Sequence, residues 1–379
     1  METALVMALS LAAAGEPHDA FAPGALWPDD QGHHINAHGG GILAHEGMYY
    51  WFGEHKIAGT AGNVSHVGVH VYASTDLYHW RDEGIALQVS EDPHSEITDG
   101  SVIERPKVIF CAKTGKFVMW FHLELKGQGY LAARSGVAVA DAPTGPYRYL
   151  GSFRPNAGVW PRNVPDDLKR PLSAAEQERL AHANLPGGPV ANFPQDELFR
   201  RDFAGGQMAR DMTVYVADDG AAYHLYASEE NSTLHISQLS DDFLGESGQY
   251  VRVFPGRFNE APAIFQHGGK WWLFSSDCTG WAPNPGRLAV ADSVWGPWTA
   301  LANPWIGDER QRAISFDSQP TFVLPVTGRP GAFIFMADRW RPENAIDGRY
   351  LWLPIEFRDG VPVLEWRERW DLSVFPLKG

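Results

Sequence analysis

The sequence has few cysteines, no basic run and no apolar stretch long enough to span a bilayer. Its 31 lysines and arginines are outnumbered by 46 aspartates and glutamates, which gives a net charge of −15. A chain this acidic is not expected to bind nucleic acid or an anionic membrane. The two cysteines, Cys111 and Cys278, lack the spacing of a metal site or a disulfide framework, and both are predicted to be small buried apolar residues.

Aromatic and turn-forming residues are abundant instead. The 379 residues include 15 Trp, 12 Tyr, 20 Phe, 39 Gly and 27 Pro. This composition is typical of an all-β protein with many turns. The length allows a large core in one or two domains.

A β-hairpin pattern occurs five times along the chain. Each copy has a short apolar run, a glycine-containing turn and an aromatic-rich return strand, and the copies continue with a second pair of strands. Units of four strands that repeat every 40–50 residues or so are typical of propeller blades. The sequence therefore predicts an all-β fold, a five-bladed β-propeller that occupies residues 24–379 as a single domain. Its inner strands are expected at 40–43, 106–110, 212–216, 263–265 and 320–324.

The residues just before these inner strands form a polar set. Inner strands line the axis of a propeller, so the residues at their starts should converge on one face. Strands normally begin with ordinary turn residues, and a polar residue at the equivalent position of five repeats indicates a functional site. The five residues are His38, Glu104, Asp211, Glu260 and Gln319.

Glu260 and Glu104 are the candidate carboxyl pair of this site. Two carboxyl groups across a pocket are usual in glycosidases, where one donates a proton to the leaving oxygen and the other activates water. Apolar residues follow Glu260 in the sequence and should raise its pKa, which would keep it protonated near neutral pH. Glu104 precedes Arg105 and Lys107 and is expected to stay ionised. The alternative for either glutamate is a structural salt bridge or a strand cap.

Three aromatic residues near predicted strand ends, Trp51, Tyr130 and Trp281, suit stacking against the face of a sugar ring. The alternative for each of them alone is packing in the core. The aromatic residues therefore support a carbohydrate site only together with the carboxyl pair.

A long segment, residues 153–206, interrupts the repeat between the second and third units. It is rich in Pro, Arg and Asp and contains one helix signal, a capping box at 173–176 followed by 177–182. We interpret it as an insertion over one face of the propeller. Two roles remain open for it, a wall of the substrate pocket or a surface excursion.

Residues 1–23 are predicted to be a leader. The stretch 4–14 resembles the apolar core of a signal peptide, although Glu2 precedes it and no lysine or arginine does. The protein is expected to be periplasmic or secreted if this stretch is a signal peptide, and cytoplasmic if it is not.

Eight short motifs in chain order resemble glycoside hydrolase family 43. The resemblance is strongest to its galactan-directed branch, the exo-β-1,3-galactanases and related exo-β-galactosidases, and it covers about residues 24–372. The set of motifs in this order is specific, whereas any single motif would be weak. The motifs are INAHGGGI at 35–42, YWFGE at 50–54, ERPK at 104–107, SGVA at 135–138, RDMT at 210–213, SEEN at 228–231, EAP at 260–262 and TGWAPN at 279–284.

The resemblance implies a five-bladed propeller and an exo-acting glycosidase that releases terminal β-linked galactose from galactan or arabinogalactan side chains with inversion. It implies that Glu260 is the general acid, that Gln319 positions or activates water, and that Glu104 tunes the pKa of the acid and orients it. The wider family has an aspartate base on the first blade, where this chain has only Asn36 and His38 as polar residues. An α-L-arabinofuranosidase or β-xylosidase and a non-catalytic carbohydrate-binding propeller therefore remain alternatives.

The resemblance also implies a set of residues that hold the terminal sugar. His38 is included in this set, with a hydrogen-bonded core histidine as its alternative. No cofactor and no metal ion are predicted, and the expected partner is an oligosaccharide or polysaccharide. The oligomeric state does not follow from the sequence. The predicted substrate-binding residues are His38, Glu54, Tyr130, Asp211, Asn231, Thr279 and Trp281.

Overall fold

The computed structural model describes residues 19–182 and 195–376. Most of the predicted leader and the middle of the predicted insertion lie outside the described residues. Within them the chain is mainly strand, and no helix there is long and apolar enough to cross a membrane.

Four sheets are antiparallel meanders of four strands, numbered here in chain order, in which each strand pairs with the next. Sheet 1 contains β1 (His38–His45), β2 (Met48–Glu54), β3 (Gly68–Ser74) and β4 (Arg81–Gln88). Sheet 2 contains β5 (Val102–Cys111), β6 (Lys116–Glu124), β7 (Arg134–Ala140) and β8 (Arg148–Phe153). Sheet 3 contains β9 (Met212–Val216), β10 (Ala222–Ser228), β11 (Thr233–Leu239) and β12 (Glu246–Val253). Sheet 4 contains β13 (Glu260–His267), β14 (Lys270–Ser276), β15 (Arg287–Ala291) and β16 (Thr299–Ala300).

Two further sheets have three strands each. Sheet 5 is an antiparallel meander of β18 (Gln319–Pro325), β19 (Phe333–Arg339) and β20 (Arg349–Pro354). Sheet 6 is mixed, since β17 runs parallel to β22 and β21 pairs antiparallel with it. Its strands are β17 (Trp305–Ile306), β21 (Glu356–Arg358) and β22 (Val361–Glu365).

The first strands of sheets 1–5 form a closed ring around the axis. β1 lies against β5, β5 against β9, β9 against β13, β13 against β18, and β18 returns to β1. The prediction of an all-β propeller is confirmed. Because each inner strand begins on the same face, the polar residues that start them come together there.

The prediction of five blades is wrong, because the described residues form six sheets. β22 does not extend sheet 5 but pairs with β17, where Leu364 and Trp305 are partners in the ladder. Both side chains are buried and pack in one core cluster with Phe335 of sheet 5. This burial stabilises a separate small sheet beside the fifth meander.

β-Bulges occur near the starts of four inner strands and re-aim the side chains there. In the bulges of β1, β5 and β13 one residue has a left-handed backbone, and its N–H donates to a carboxylate held by another sheet or its connection. These hydrogen bonds tie neighbouring blades together on the functional face. The three pairs are Gly39 with Asp338 (2.5 Å), Arg105 with Glu54 (2.9 Å) and Ala261 with Asp211 (3.1 Å).

The described helices are short: α1 (Ala174–His182), α2 (Gln195–Arg201) and α3 (Glu309–Ala313). The predicted capping box before α1 is present, since the Ser173 N–H donates to the Glu176 carboxylate and the Glu176 N–H donates to the Ser173 hydroxyl. Short 3₁₀ turns are found at Thr60–Asn63, Asp166–Leu168, Ala345–Asp347 and Leu372–Val374.

The described parts of the 153–206 segment pack along β12, the outer strand of sheet 3. The Arg162 N–H donates to the Tyr250 carbonyl at 2.9 Å, and the Arg252 N–H donates to the Asn163 side chain at 3.0 Å. The segment therefore covers a sheet edge that would otherwise present unpaired backbone groups.

Candidate active site

A pocket of ≈ 500 Å³ opens on the face where the inner strands begin. Its wall is built from the starts of β5, β13 and β18 and from loops of all five ring sheets. Eight of the predicted site residues line it, and the structure thus brings together residues more than 260 positions apart in sequence. They are Glu54, Glu104, Tyr130, Asp211, Asn231, Glu260, Trp281 and Gln319.

Three residues that the sequence suggested do not line this pocket. Thr279 is used within its own loop, where its hydroxyl donates to the Ala282 carbonyl at 2.6 Å. His38 is fully buried and stacks on Tyr350 at 5.3 Å, because the bulge after it turns its ring into the core. Trp51 is also a core residue, as the alternative for it had allowed.

Glu260 is the first residue of β13 and is held in a fixed environment. The Asn231 side-chain N–H donates to its Oε1 at 2.7 Å. Burial, followed by the nearby Asp211 carboxylate, raises the pKa of Glu260 to about 8, although Arg105 and Asn231 act in the opposite direction. A carboxyl group with this pKa is largely protonated at neutral pH and is able to donate a proton.

Asp211 is the carboxylate that acts on Glu260. Its Oδ1 pairs with Arg105 Nε at 2.8 Å, and its Oδ2 accepts from the Ala261 N–H, next to Glu260 in the chain. The family resemblance implies that Glu104 tunes the acid. In the structure Glu104 is hydrogen-bonded to Tyr130 and His122. After burial, the Asp211 carboxylate is the main cause of the raised pKa of Glu260.

Glu104 lies in β5 and accepts hydrogen bonds from the Tyr130 hydroxyl at 2.6 Å and from His122 Nδ1 at 3.0 Å. Burial alone would raise the pKa of Glu104, but the His122 hydrogen bond and charge, the Lys56 charge and the Tyr130 hydroxyl lower it to about 2. The second nitrogen of His122 bonds Glu124 at 2.9 Å, and these two carboxylates raise the pKa of His122 to about 9 against the effect of burial. Glu104 is therefore ionised at neutral pH.

The ionised state of Glu104 was expected, but the reason given for it was wrong. The Arg105 guanidinium turns to Asp211 and Gln319 instead. The Lys107 ammonium donates to the Gly39 carbonyl at 2.8 Å. Both Glu104 and Arg105 line the pocket, but the bulge in β5 aims the guanidinium away from the neighbouring carboxylate.

Gln319 is held at both ends of its amide. Its Oε1 accepts from Arg105 Nη2 at 2.7 Å and from Trp340 Nε1 at 2.8 Å, and its Nε2 donates to the Ser276 hydroxyl at 3.0 Å. Arginine and tryptophan side chains are donors only, so the atom facing them must be the amide oxygen. The group that Gln319 leaves for the pocket is therefore an N–H, a hydrogen-bond donor.

Several residues that sequence reasoning missed also line the pocket. Arg105 stands within one of the motifs, but only the bulge in β5 shows that its guanidinium joins Asp211 to Gln319. Lys56 pairs with Glu54 at 2.5 Å. Those missed residues that lie just outside strand ends on this face could have been found from that position. The missed lining residues include Lys56, Arg105, His122, Arg210, Glu230 and Trp340.

One group of side chains has the composition of a metal site. Ligand atoms of Glu104, His122 and Asp211 lie within 4.8 Å of one another. These groups already have partners, since His122 bonds Glu104 and Asp211 pairs with Arg105. A cation would have to displace both ion pairs, so the residues present do not fit a resident metal.

A family model for glycosyl hydrolases family 43 matches residues 193–362. A solved GH43 β-1,3-galactosidase, BT3683 with galactodeoxynojirimycin, is 49% identical, with a TM-score of 0.87, and the match covers 93% of this chain and 100% of that one. An exo-β-1,3-galactanase from Phanerochaete chrysosporium with β-1,3-galactotriose is 32% identical, with a TM-score of 0.73 and coverage of 93% and 68%.

An exo-β-1,3-galactanase from Clostridium thermocellum is 31% identical, with a TM-score of 0.73, and the match covers 93% of this chain and 66% of that one. No curated protein matches the chain. The match to the β-1,3-galactosidase covers that entire chain and most of this one. The chain therefore belongs to glycoside hydrolase family 43.

Proposed function

We propose that this protein is an exo-acting, inverting β-galactosidase that removes terminal β-1,3-linked galactose from galactan or arabinogalactan side chains. The observation that carries the proposal is one pocket that holds two carboxyl groups in opposite protonation states, Glu260 neutral and Glu104 ionised. The similarity to solved β-1,3-galactosidases and exo-β-1,3-galactanases supports galactose as the sugar.

Glu260 acts as the general acid. It gives its proton to the glycosidic oxygen as the bond to the anomeric carbon breaks, and the leaving sugar departs as an alcohol. A water molecule attacks the anomeric carbon from the opposite face, which inverts its configuration, and the proton that this water loses passes to solvent water in the open pocket. Gln319 orients this water through its amide N–H, since its oxygen is already bound by Arg105 and Trp340.

The charged wall of the pocket recognises the sugar hydroxyls. Glu54 with Lys56, Glu104 with Tyr130, and Asp211 with Arg105 each present both acceptors and donors to the pocket. An epimer with one hydroxyl misplaced leaves such buried groups unpaired, which is a strong basis for discrimination. Half-exposed Trp281 offers a ring face at the rim.

The test compares hydrolysis of β-1,3-, β-1,4- and β-1,6-galactobiose with that of aryl arabinofuranoside and aryl xyloside, and follows the first-formed anomer by NMR. We expect preferential cleavage of β-1,3-galactobiose with release of α-galactose. Cleavage of the arabinoside or xyloside alone would contradict galactose as the substrate but would leave Glu260 as the general acid. No cleavage of any of them, with galactose still bound, would favour a carbohydrate-binding propeller.

Glu260→Gln provides the matched control. The amide keeps the shape of the side chain but is too weakly acidic to transfer a proton to an ether oxygen. We expect turnover to fall by roughly 10²–10⁴-fold while galactose binding persists. A variant that retains full turnover would show that Glu260 is not the acid.

A further inference from the structure

A chain of hydrogen bonds runs from helix α2 to Glu260. Arg201 Nη1 donates to Glu230 Oε1 at 3.0 Å, and Arg210 Nη2 donates to Glu230 Oε2 at 3.2 Å. Arg210 Nη1 then donates to Asn231 Oδ1 at 3.2 Å, and Asn231 Nδ2 donates to Glu260 Oε1 at 2.7 Å. Glu230 accepts from both arginines, and from Arg210 onwards each link donates towards Glu260.

The orientation of the Asn231 amide follows from this chain. A guanidinium has only donors, so the atom of Asn231 that faces Arg210 must be the carbonyl oxygen. The NH₂ group then faces Glu260 and occupies a lone pair of Oε1. The proton of a neutral Glu260 is thereby directed to the other oxygen, Oε2.

We propose that Arg210 is a positioning residue that fixes the amide orientation of Asn231 and so directs the proton of Glu260 to Oε2. The inference rests on the proposed role of Glu260 as the general acid. Arg201 and Glu230 extend the same chain into the 153–206 segment. None of the described residues of that segment lines the pocket, and Arg201 is one of the residues through which the segment contacts the pocket wall.

The backbone at Asn231 supports a positioning role. Glu229, Glu230 and Asn231 all have left-handed backbones, with φ of 53°, 57° and 64°. Such conformations are unfavourable for residues other than glycine and persist only where surrounding contacts enforce them. The buried Glu229 carboxylate supplies these contacts, since it accepts from Arg252 at 2.6 and 2.7 Å and from His235 at 2.8 Å.

Removal of Arg210 would let the side-chain amide of Asn231 rotate so that its oxygen and nitrogen exchange places. The carbonyl oxygen would then accept the proton of Glu260, which stabilises the neutral acid but withholds its proton from the substrate. The other charged or titratable groups facing Glu260 are Asp211, Arg105 and the Cys278 thiol, and they remain in place. The acid should therefore hold its proton to higher pH and yet be a poorer catalyst.

The experiment is a double-mutant cycle with Arg210→Met and Asn231→Ala. We expect R210M to lower kcat by roughly ten- to a hundredfold, within the range that a general acid supplies, and to move the alkaline limb of the pH profile upwards. In the N231A background, R210M should change kcat by less than about twofold. An equal loss in both backgrounds, or a downward shift of the limb, would overturn the proposal.

Arg210→Lys keeps a charged donor and should retain most of the activity, which a purely structural requirement for arginine would not allow. Arg201→Met should produce a smaller effect in the same direction as R210M. Its matched control is Arg179→Met, because Arg179 lies on α1 of the same segment and pairs with Glu197 instead of Glu230. If R210M does not fold, an R201M effect that equals the R179M effect would overturn the proposal.

Titration of the Glu260 carboxyl by ¹³C NMR, assigned with E260Q, separates this inference from the proposed function. The titration reports the protonation of Glu260 whether or not the tested sugars are cleaved. We expect its midpoint to rise in R210M and to stay within about 0.3 units of the N231A value in the double variant. A midpoint unchanged by R210M in the native background would contradict the inference even if the enzyme cleaves galactobiose.

Discussion

At the scale of single residues, environment decides what a carboxyl group does. Glu260 and Glu104 have the same side chain and line the same pocket, yet burial and Asp211 favour the neutral form of one, while His122 and Tyr130 favour the ionised form of the other. Two carboxyl groups whose pKa values are shifted in opposite directions are what is required for proton donation beside a fixed negative charge.

Asp211→Asn is expected to move the alkaline limb of the pH–activity profile to lower pH. Asp211 is negative and raises the pKa of Glu260, so its neutralisation lets Glu260 lose its proton earlier as the pH rises. The shift should be roughly one unit or more, as for other closely spaced carboxylates. It is measured from kcat/KM between pH 5 and 9.

The control for this variant is Asp218→Asn in the exposed turn after β9, at the other end of the same strand. It removes the same charge from the protein but not from the pocket. We expect its profile to match that of the wild type. A profile of D211N that coincides with D218N would show that Asp211 does not tune the acid.

At the scale of elements, close backbone contacts allow the inner hairpins to reach the site. Gly53, at the end of β2, lies directly over Ala37, which precedes β1, and a Cβ at Gly53 would be 2.0 Å from the Ala37 carbonyl carbon. The neighbouring Glu54 can reach the bulge of the next sheet only because the two backbones approach this closely.

Gly53→Ala is therefore expected to reduce the free energy of unfolding by about 3 kcal/mol, since backbone atoms cannot move aside as a flexible side chain can. The measurement is denaturant unfolding. Gly205→Ala is the matched control, because Gly205 has open space around its added Cβ and should change stability by less than about 0.5 kcal/mol. Equal effects would show that the β1–β2 contact can relax.

At the scale of the whole molecule, the ring closes between sheet 5 and sheet 1. Asp338 of β19 accepts from the Gly39 N–H of β1 at 2.5 Å, and its side chain is almost fully buried. Burial, with a further contribution from Glu54, raises the pKa of Asp338 to about 7. The closing contact therefore contains a carboxyl group that the fold prefers to keep neutral.

This contact should make stability depend on pH in a defined direction. A folded-state pKa above the unfolded value of about 3.9 means that the contribution of Asp338 is fully present below that value and is lost as the pH rises to about 7. Asp338→Asn keeps an acceptor for Gly39 and cannot ionise. In thermal melts the melting temperature of D338N should exceed that of the wild type by an amount that grows from pH 4 to pH 8.

Asp218→Asn serves again as the surface control and should show no such trend. An advantage of D338N that is constant across this pH range would mean that the pKa of Asp338 is the same in the folded and the unfolded protein. The closure of the ring would then be independent of its charge.

Much of the fold and the site followed from local patterns. Alternating apolar residues and glycine turns predicted the inner hairpins, because strand pairing and turn chemistry depend on short stretches of chain. Glu260, Glu104 and Gln319 were found because repetition places equivalent positions on one face of a propeller. The helix after Ser173 was predicted correctly for the same local reason, its capping box.

The tertiary structure decided the rest, because those outcomes depend on contacts between distant segments. Whether β22 joins sheet 5 or pairs with β17 depends on what buries Trp305 and Leu364, and no local pattern expresses this. Bulges decide that His38 turns into the core and that Arg105 reaches Gln319. The sequence by itself determined which residues can do chemistry in this protein, and the tertiary structure decided which of them meet and in which protonation state, since both depend on burial and on charges brought together through space.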